Sequence, residues 1–305
     1  MSDLDQHLGA LQADPSSESA ARAVREVGRR SGRFDALLDA FERRGNALMS
    51  EGRVPEAIEA WLEAALVAEE ELHALERAAE LYERVLAADP RHRRASFALG
   101  LVLHDLQRWD DLIAHYRRRI GATDDEGEKT TLEHYVAELL VEKKDDPHGG
   151  FSALVAAAAR APGNLRVLNR LQALAERTGR LDDAVITIGD MLMHQEDPRL
   201  RAALALRLAE LHLGPLDDPA RALAHLRGAL ADSGGDPHLL GEIEDVVRER
   251  SRFEELARLL EEIAAEHERA STRSSFEREL ARIYERELDD PERAFGALER
   301  AVASA

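Results

Sequence analysis

Asp145-Asp146-Pro147, Asp217-Asp218-Pro219 and Asp289-Asp290-Pro291 are one word written three times, at a constant step of 72 in the numbering. A second marker keeps the same step: Arg108-Trp109, Arg180-Leu181 and Arg252-Phe253. Ala65, Ala137, Ala209 and Ala281 hold it at four successive places. Self-similarity at a fixed interval marks a repeat array, in which each unit buries its apolar side on its neighbours.

Each period holds four helical stretches, read as two hairpins with different turns. One turn is short, as at Thr178-Gly179-Arg180-Leu181, where Gly179 and Gly32 suit the left-handed residue just past a helix end. Gln107 and Ser251 stand there in the sister copies. The other turn is the Asp-Asp-Pro word: Asp146, Asp218 and Asp290 are placed to cap the next helix, whose first position takes the proline at no cost in hydrogen bonds. Between turns, apolar residues recur at steps of three and four. Phe253, Leu256, Leu260, Ile263 and Ala264 form one such stripe, and Leu204, Ala205, Leu208, Ala209 and Leu211 another.

These signals predict an all-α chain, a right-handed solenoid of about eight antiparallel hairpins spanning roughly 16–48, 54–88, 91–121, 126–160, 164–195, 199–232, 237–268 and 271–304. Residues 1–15 form a short N-terminal cap segment, and 16–305 a single repeat domain. The first period has drifted furthest. His73-Ala74-Leu75 stands where the register expects Asp-Asp-Pro, while Arg33-Phe34 comes before Arg108-Trp109 by a step of 75. The surplus of three is expected in a loop near Gly45 to Gly52.

Composition narrows the work such an array does. Aromatic residues make up 4% of the 305, and charged residues 33%. The chain carries 41 basic against 60 acidic residues, a formal net charge of −19. Affinity for phosphate backbones comes from Lys and Arg displacing counterions, so nucleic acid is not an expected partner. Cysteine is absent, which removes disulfides, thiolate metal sites and thiol nucleophiles. The acidic start, Met1-Ser2-Asp3-Leu4-Asp5, has no signal-peptide pattern, and no apolar run is long enough to span a membrane. A cytoplasmic protein is the expectation.

Ala78-x3-Tyr82 followed by Pro90, Leu99-Gly100 followed by Leu103, and Trp61-x2-Ala64-Ala65 resemble the tetratricopeptide (TPR) pattern, in which small residues let paired helices approach and an aromatic fills the gap between hairpins. Arg119, Gln172 and Glu244 depart from it, standing where small residues are usual. The resemblance implies a protein-interaction scaffold whose first helices line a concave groove. Carrying the usual groove positions across gives Arg94, Phe97, Leu101, His104 and Asp105 in the third hairpin. The fifth gives Arg166, Asn169, Ala173, Glu176 and Arg177, and the seventh Asp245 and Arg248. Arg94, Arg166 and Arg177 have the geometry to grip an acidic peptide or a chain terminus; the alternative is that they pair with neighbouring carboxylates on the helix surface.

Chemistry is sparse. Phosphate-binding glycine loops are missing, and the twelve histidines include no pair at helical metal-ligand spacing. His104 and His115, eleven apart, are expected to be ordinary surface or packing residues. His212 and Tyr284 share the repeat position of Leu140, which predicts packing. The Asp124-Asp125-Glu126 run with Glu128 lacks a calcium-loop layout and reads as a solvated loop. Ser233-Gly234-Gly235 reads as a connection between hairpins. With no nucleophile–base set, no metal and no cofactor, the expectation is a non-enzymatic scaffold. The third hairpin is basic and the fourth acidic, opposite patches that attract each other or guide a partner carrying both signs. Phe295, Leu298 and Val302 are expected to lie partly open on the last helix, which offers an alternative role in self-association through the C-terminal hairpin.

Overall fold

The computed structural model describes residues 3–233, 237–249, 252–266 and 268–304, and within them every regular element is a helix. The chain divides into two compact units, Met1–Asp146 and Pro147–Ala305. The first holds α1 (Asp3–Ala13), α2 (Glu18–Ser31), α3 (Phe34–Ser50), α4 (Val54–Leu66), α5 (Leu75–Ala88), α6 (Arg93–Asp105), α7 (Trp109–Ala122) and α8 (Glu126–Lys143), with a π-helical segment, Val67–Glu71, prolonging α4. The second holds α9 (Pro147–Arg160), α10 (Leu165–Thr178), α11 (Leu181–His194), α12 (Pro198–Leu213), α13 (Pro219–Ser233), α14 (Pro237–Glu249), α15 (Phe253–Glu266), α16 (Ala270–Arg286) and α17 (Pro291–Ala303). Within each unit the substantial helix packing joins a helix to the next, or to the next but one, as in a repeat stack. No helix among the described residues is long and apolar enough to cross a membrane.

The Asp-Asp-Pro word has a backbone reason beyond capping. Its first aspartate takes a left-handed conformation, with φ of 51° at Asp145, 46° at Asp217 and 50° at Asp289. Aspartate tolerates this region better than most residues because its short polar side chain bonds locally. The amides around it then reach back unusually far. Lys144, Leu216 and Leu288 donate to Leu139, Leu211 and Ile283, five residues earlier. Asp146, Asp218 and Asp290 donate to Leu140, His212 and Tyr284, six residues earlier, at 2.8, 2.7 and 2.8 Å. The second aspartate caps as expected where its bond is recorded: Asp218 Oδ1 accepts from the Arg221 amide and Asp290 Oδ1 from the Arg293 amide. The degenerate copy closes identically. His73 has φ of 50°, Leu72 donates to Val67 and Ala74 to Ala68. The short turns place Gly32, Gln107 and Gly179 at positive φ of 66°, 55° and 66°. Ser251, Gly234 and Gly235 lie outside the described residues.

The surplus of the first period is not in a loop. Helix α3 runs to Ser50, longer than α7, α11 and α15, and the turn is confined to Glu51-Gly52-Arg53. Gly45 is buried inside α3, where an added Cβ would lie 2.4 Å from Cδ1 of Trp61 on α4. Glycine is needed there for close helix approach, not for a turn, so its presence in the sequence misleads. The apolar stripes do bury as spaced: Phe253, Leu256, Leu260, Ile263 and Ala264 are all in the core, as are Leu204, Ala205, Leu208, Ala209 and Leu211. His212 and Tyr284 are buried too, the latter donating from its hydroxyl to Glu261 at 2.8 Å.

Candidate functional site

Helix α6 turns Arg94, Phe97, Leu101, His104 and Asp105 to solvent and buries Ala95, Leu99, Gly100, Val102 and Leu103. Large apolar side chains at 66% and 50% exposure, Phe97 and Leu101, are unusual on a surface and frame the site. Gly100 lies between them on the helix. A Cβ there would sit at ordinary contact distance, 3.7 Å, from Cε1 of Tyr116 on α7, whose ring lies against α6. Tyr116 in turn lies 6.0 Å, centroid to centroid, from Tyr135 on α8, which is 46% exposed. Burial pushes the Tyr116 phenol above its usual pKa, as suits an aromatic floor. Behind it, buried His115 donates from Nε2 to the Ser96 carbonyl at 2.9 Å, and burial depresses its pKa to about 4. His104 is elsewhere, exposed and edge-on to Trp109 at 5.4 Å, so the two histidines do not converge.

Arg94 makes no ion pair among the described residues, and the same holds for Arg166 and Arg177. Other basic groups nearby are engaged. Arg91 pairs with Asp124 at 3.1 Å, Arg119 with Glu128 at 2.5 Å, and Lys144 with Asp110 at 2.7 Å. The basic third hairpin and the acidic segment after it thus attract each other. Asp125, in that acidic run, caps α8 by accepting from the Gly127 and Glu128 amides.

The repeat positions of Phe97 and Tyr135 hold a polar pair, Asn169 and Arg207, in the copy that follows. In sequence the two aromatics stand one period before Asn169 and Arg207, and Tyr135 one period after Glu63. Arg25 donates from Nε and Nη2 to the two carboxylate oxygens of Glu63, tying α2 to α4. Arg207 donates from Nη2 to Asn169, tying α10 to α12. Between α6 and α8 no such tie is possible, because both side chains are aromatic. The sequence reading missed Tyr135 and Arg207. The signal was present as a 38-residue offset, shared by Arg25 with Glu63 and Asn169 with Arg207.

In the second unit, Arg166, Asn169, Ala173, Glu176 and Arg177 are exposed along α10. Asn169, though, is held by Arg207, which also donates to Gln172 at 3.2 Å and pairs with Glu210 at 2.5 Å. On α14, Arg248 pairs with Asp245 at 2.9 Å and with Glu287 at 3.3 Å, so neither is idle. The two sets of groove residues belong to different units. On α17, Phe295, Leu298 and Val302 are exposed.

Residues 95–130, which include Phe97, Gly100, Leu101 and Tyr116, match the tetratricopeptide repeat family. No curated protein matches the sequence. Among solved structures, the TPR protein YrrB, described as having an unusual peptide-binding site, is 18% identical, with a TM-score of 0.33, covering 63% of this chain and 97% of its own. A thermophilic TPR protein of Thermus thermophilus is 19% identical, with a TM-score of 0.32, covering 62% and 98% respectively. A tetratricopeptide repeat protein from Parabacteroides merdae is 14% identical, with a TM-score of 0.26, covering 80% and 97%. Residues 95–130 thus carry a tetratricopeptide repeat at α6–α7, and helices of similar length precede and follow it, as in an all-α helical-repeat fold.

Proposed function

We propose that this chain is a non-enzymatic protein-interaction scaffold, and that a partner segment docks on the face made by α6 and α8. The observation that carries the reading is the replacement of a polar inter-helix tie by Phe97 and Tyr135, which leaves an exposed apolar patch within the matched repeat and the helix after it. An apolar side chain of the partner packs on Phe97, Leu101 and Tyr135, where desolvation supplies the affinity. Arg94, with no intramolecular carboxylate among the described residues, supplies polarity by gripping an acidic residue or a chain terminus in two parallel hydrogen bonds.

The test is a displayed peptide library selected on the wild-type chain and counter-screened on a Phe97→Ala plus Arg94→Glu variant. Both positions are exposed, so the variant keeps its helical circular dichroism. Selected peptides combining an apolar anchor with a carboxylate are expected to bind the variant at least about tenfold more weakly. Equal binding removes this face from the mechanism.

A second reading is self-association through α17, where Phe295, Leu298 and Val302 expose a stripe at helical spacing. Sedimentation over a range of concentrations decides it: a monomer throughout eliminates this role.

A further inference from the structure

The second unit carries a cleft of about 510 Å³ walled by α10, α12 and α14, and its chemistry differs from that of the α6–α8 face. Leu165, Leu206 and Val246 contribute apolar surface. Three carboxylates, Glu210, Glu242 and Asp245, line it with a single guanidinium, Arg207. That guanidinium is already engaged by Asn169, Gln172 and Glu210. Outside the lining, Arg248 lies 2.9 Å from Asp245, 3.3 Å from Glu287 and 3.9 Å from Glu244, the last of which is held by Arg282 as well. The neighbour of Glu242 is the imidazole of His238, at 3.6 Å. The cleft therefore holds surplus negative charge beside aliphatic surface.

We propose that this cleft docks a basic segment of a partner protein, one with Lys or Arg next to an aliphatic residue. The cationic head meets Glu242 and Asp245, while the methylene stem of a long basic side chain lies along Leu206 and Val246. Arg207, held by Asn169 and Gln172 of α10, pairs with Glu210 and keeps it oriented, so its own charge is already matched. The net charge of −19 draws a basic segment in from a distance. The inference rests on the scaffold reading in general, but at a separate site with the opposite charge preference.

The experiment uses the full chain and two fluorescein-labelled pentapeptides, Leu-Arg-Leu-Lys-Leu and its charge reversal Leu-Glu-Leu-Glu-Leu, each blocked at the far end, with anisotropy read at low and high salt. The basic peptide is expected to bind, and more tightly at low salt. A Glu242→Gln plus Asp245→Asn variant, both positions being exposed, should weaken it about tenfold while leaving circular dichroism unchanged. The Phe97→Ala plus Arg94→Glu variant should bind it as the wild type does. The proposal is overturned by failure of the basic peptide to bind, by equal binding of both peptides, or by indifference to the Glu242 and Asp245 changes. Loss of the basic peptide in the Phe97 variant would move the site to the α6–α8 face and also overturn it. If sedimentation shows a dimer that the Glu242 and Asp245 changes dissolve, the occupant is a second copy and the proposal fails. Apart from that transfer of the basic peptide to the α6–α8 face, these results leave the α6–α8 reading standing; it falls if the library selection there fails.

Discussion

Arg282 on α16 holds the buried carboxylate of Glu244 on α14, and Glu279 shares the same guanidinium. Glu244 stands one period after Gln172, and both occupy a place where the TPR pattern prefers a small residue. In each case the next first helix answers: Arg207 takes Gln172, and Arg282 takes Glu244. The i,i+3 pair that does so is reversed between copies, Arg207–Glu210 in one and Glu279–Arg282 in the other. The departures from the pattern are thus compensated by their neighbours.

This arrangement makes the second unit sensitive to alkali. Burial, with Glu279 alongside, raises the Glu244 pKa from 4.5 to about 7, so the fold keeps a proton that the unfolded chain releases. The stabilisation is complete below pH 4.5 and is lost as pH rises through 7. After allowance for solvent screening it is on the order of 1–2 kcal/mol. Urea midpoints between pH 5 and 8.5 should fall in the wild type and stay nearly level in Glu244→Gln. A flat wild-type profile contradicts the shared proton.

Acid acts on the first unit through His115. Its folded pKa of about 4 lies below the ordinary 6.5, so the neutral ring stabilises fully above pH 6.5 and the benefit drains away toward pH 4. Roughly 3 kcal/mol is at stake. His115→Gln can keep the donation to the Ser96 carbonyl and should flatten the acid limb of a thermal-melting series. A parallel acid limb in the variant assigns the effect to other groups.

Gln107 sits at φ of 55°, where its sister position carries Gly179 at 66°. A side chain in this region costs about 1 kcal/mol, partly offset by the entropy glycine loses on folding. Gln107→Gly is expected to stabilise by about 0.5 kcal/mol and Gly179→Ala to destabilise by about 1 kcal/mol, both read from urea denaturation. The same sign for both would refute the strain argument.

Gly45→Ala should be among the most damaging single-methyl additions in the chain. The new Cβ would lie 2.4 Å from Trp61, forcing α3 and α4 apart at a cost of about 1–3 kcal/mol. The indole donates to Asn46 Oδ1 at 3.1 Å, so a shift in tryptophan fluorescence should accompany the loss. An unchanged midpoint would mean the helices reseat freely.

Turns and core were legible because they repeat local rules: proline at a helix start, glycine past a helix end, apolar residues at steps of three and four. His73-Ala74-Leu75 shows the limit. Its letters have drifted, yet the turn persists because backbone amides and carbonyls hold it. Of the predicted groove residues, Arg94, Phe97 and Leu101 share the exposed face of α6, since one helix fixes them all. Asn169 and Arg248 were legible as positions but not as partners, because Arg207 and Glu287 arrive from helices 38 and 39 residues away. Tyr135 escaped for the same reason. Whether a side chain is spoken for depends on contacts that local periodicity does not encode.

The turn at Asp217-Asp218 and the turn at Asp289-Asp290 share their φ angles to within a few degrees and the same pair of far-reaching amide bonds. A gene spliced to omit residues 219–290 would therefore join Asp218 to Pro291 through a backbone geometry both already possess. Helix α17 would inherit the seat of α13. The chain is in this sense a ruler with movable divisions, one that can be shortened or lengthened by whole divisions without inventing a new bend.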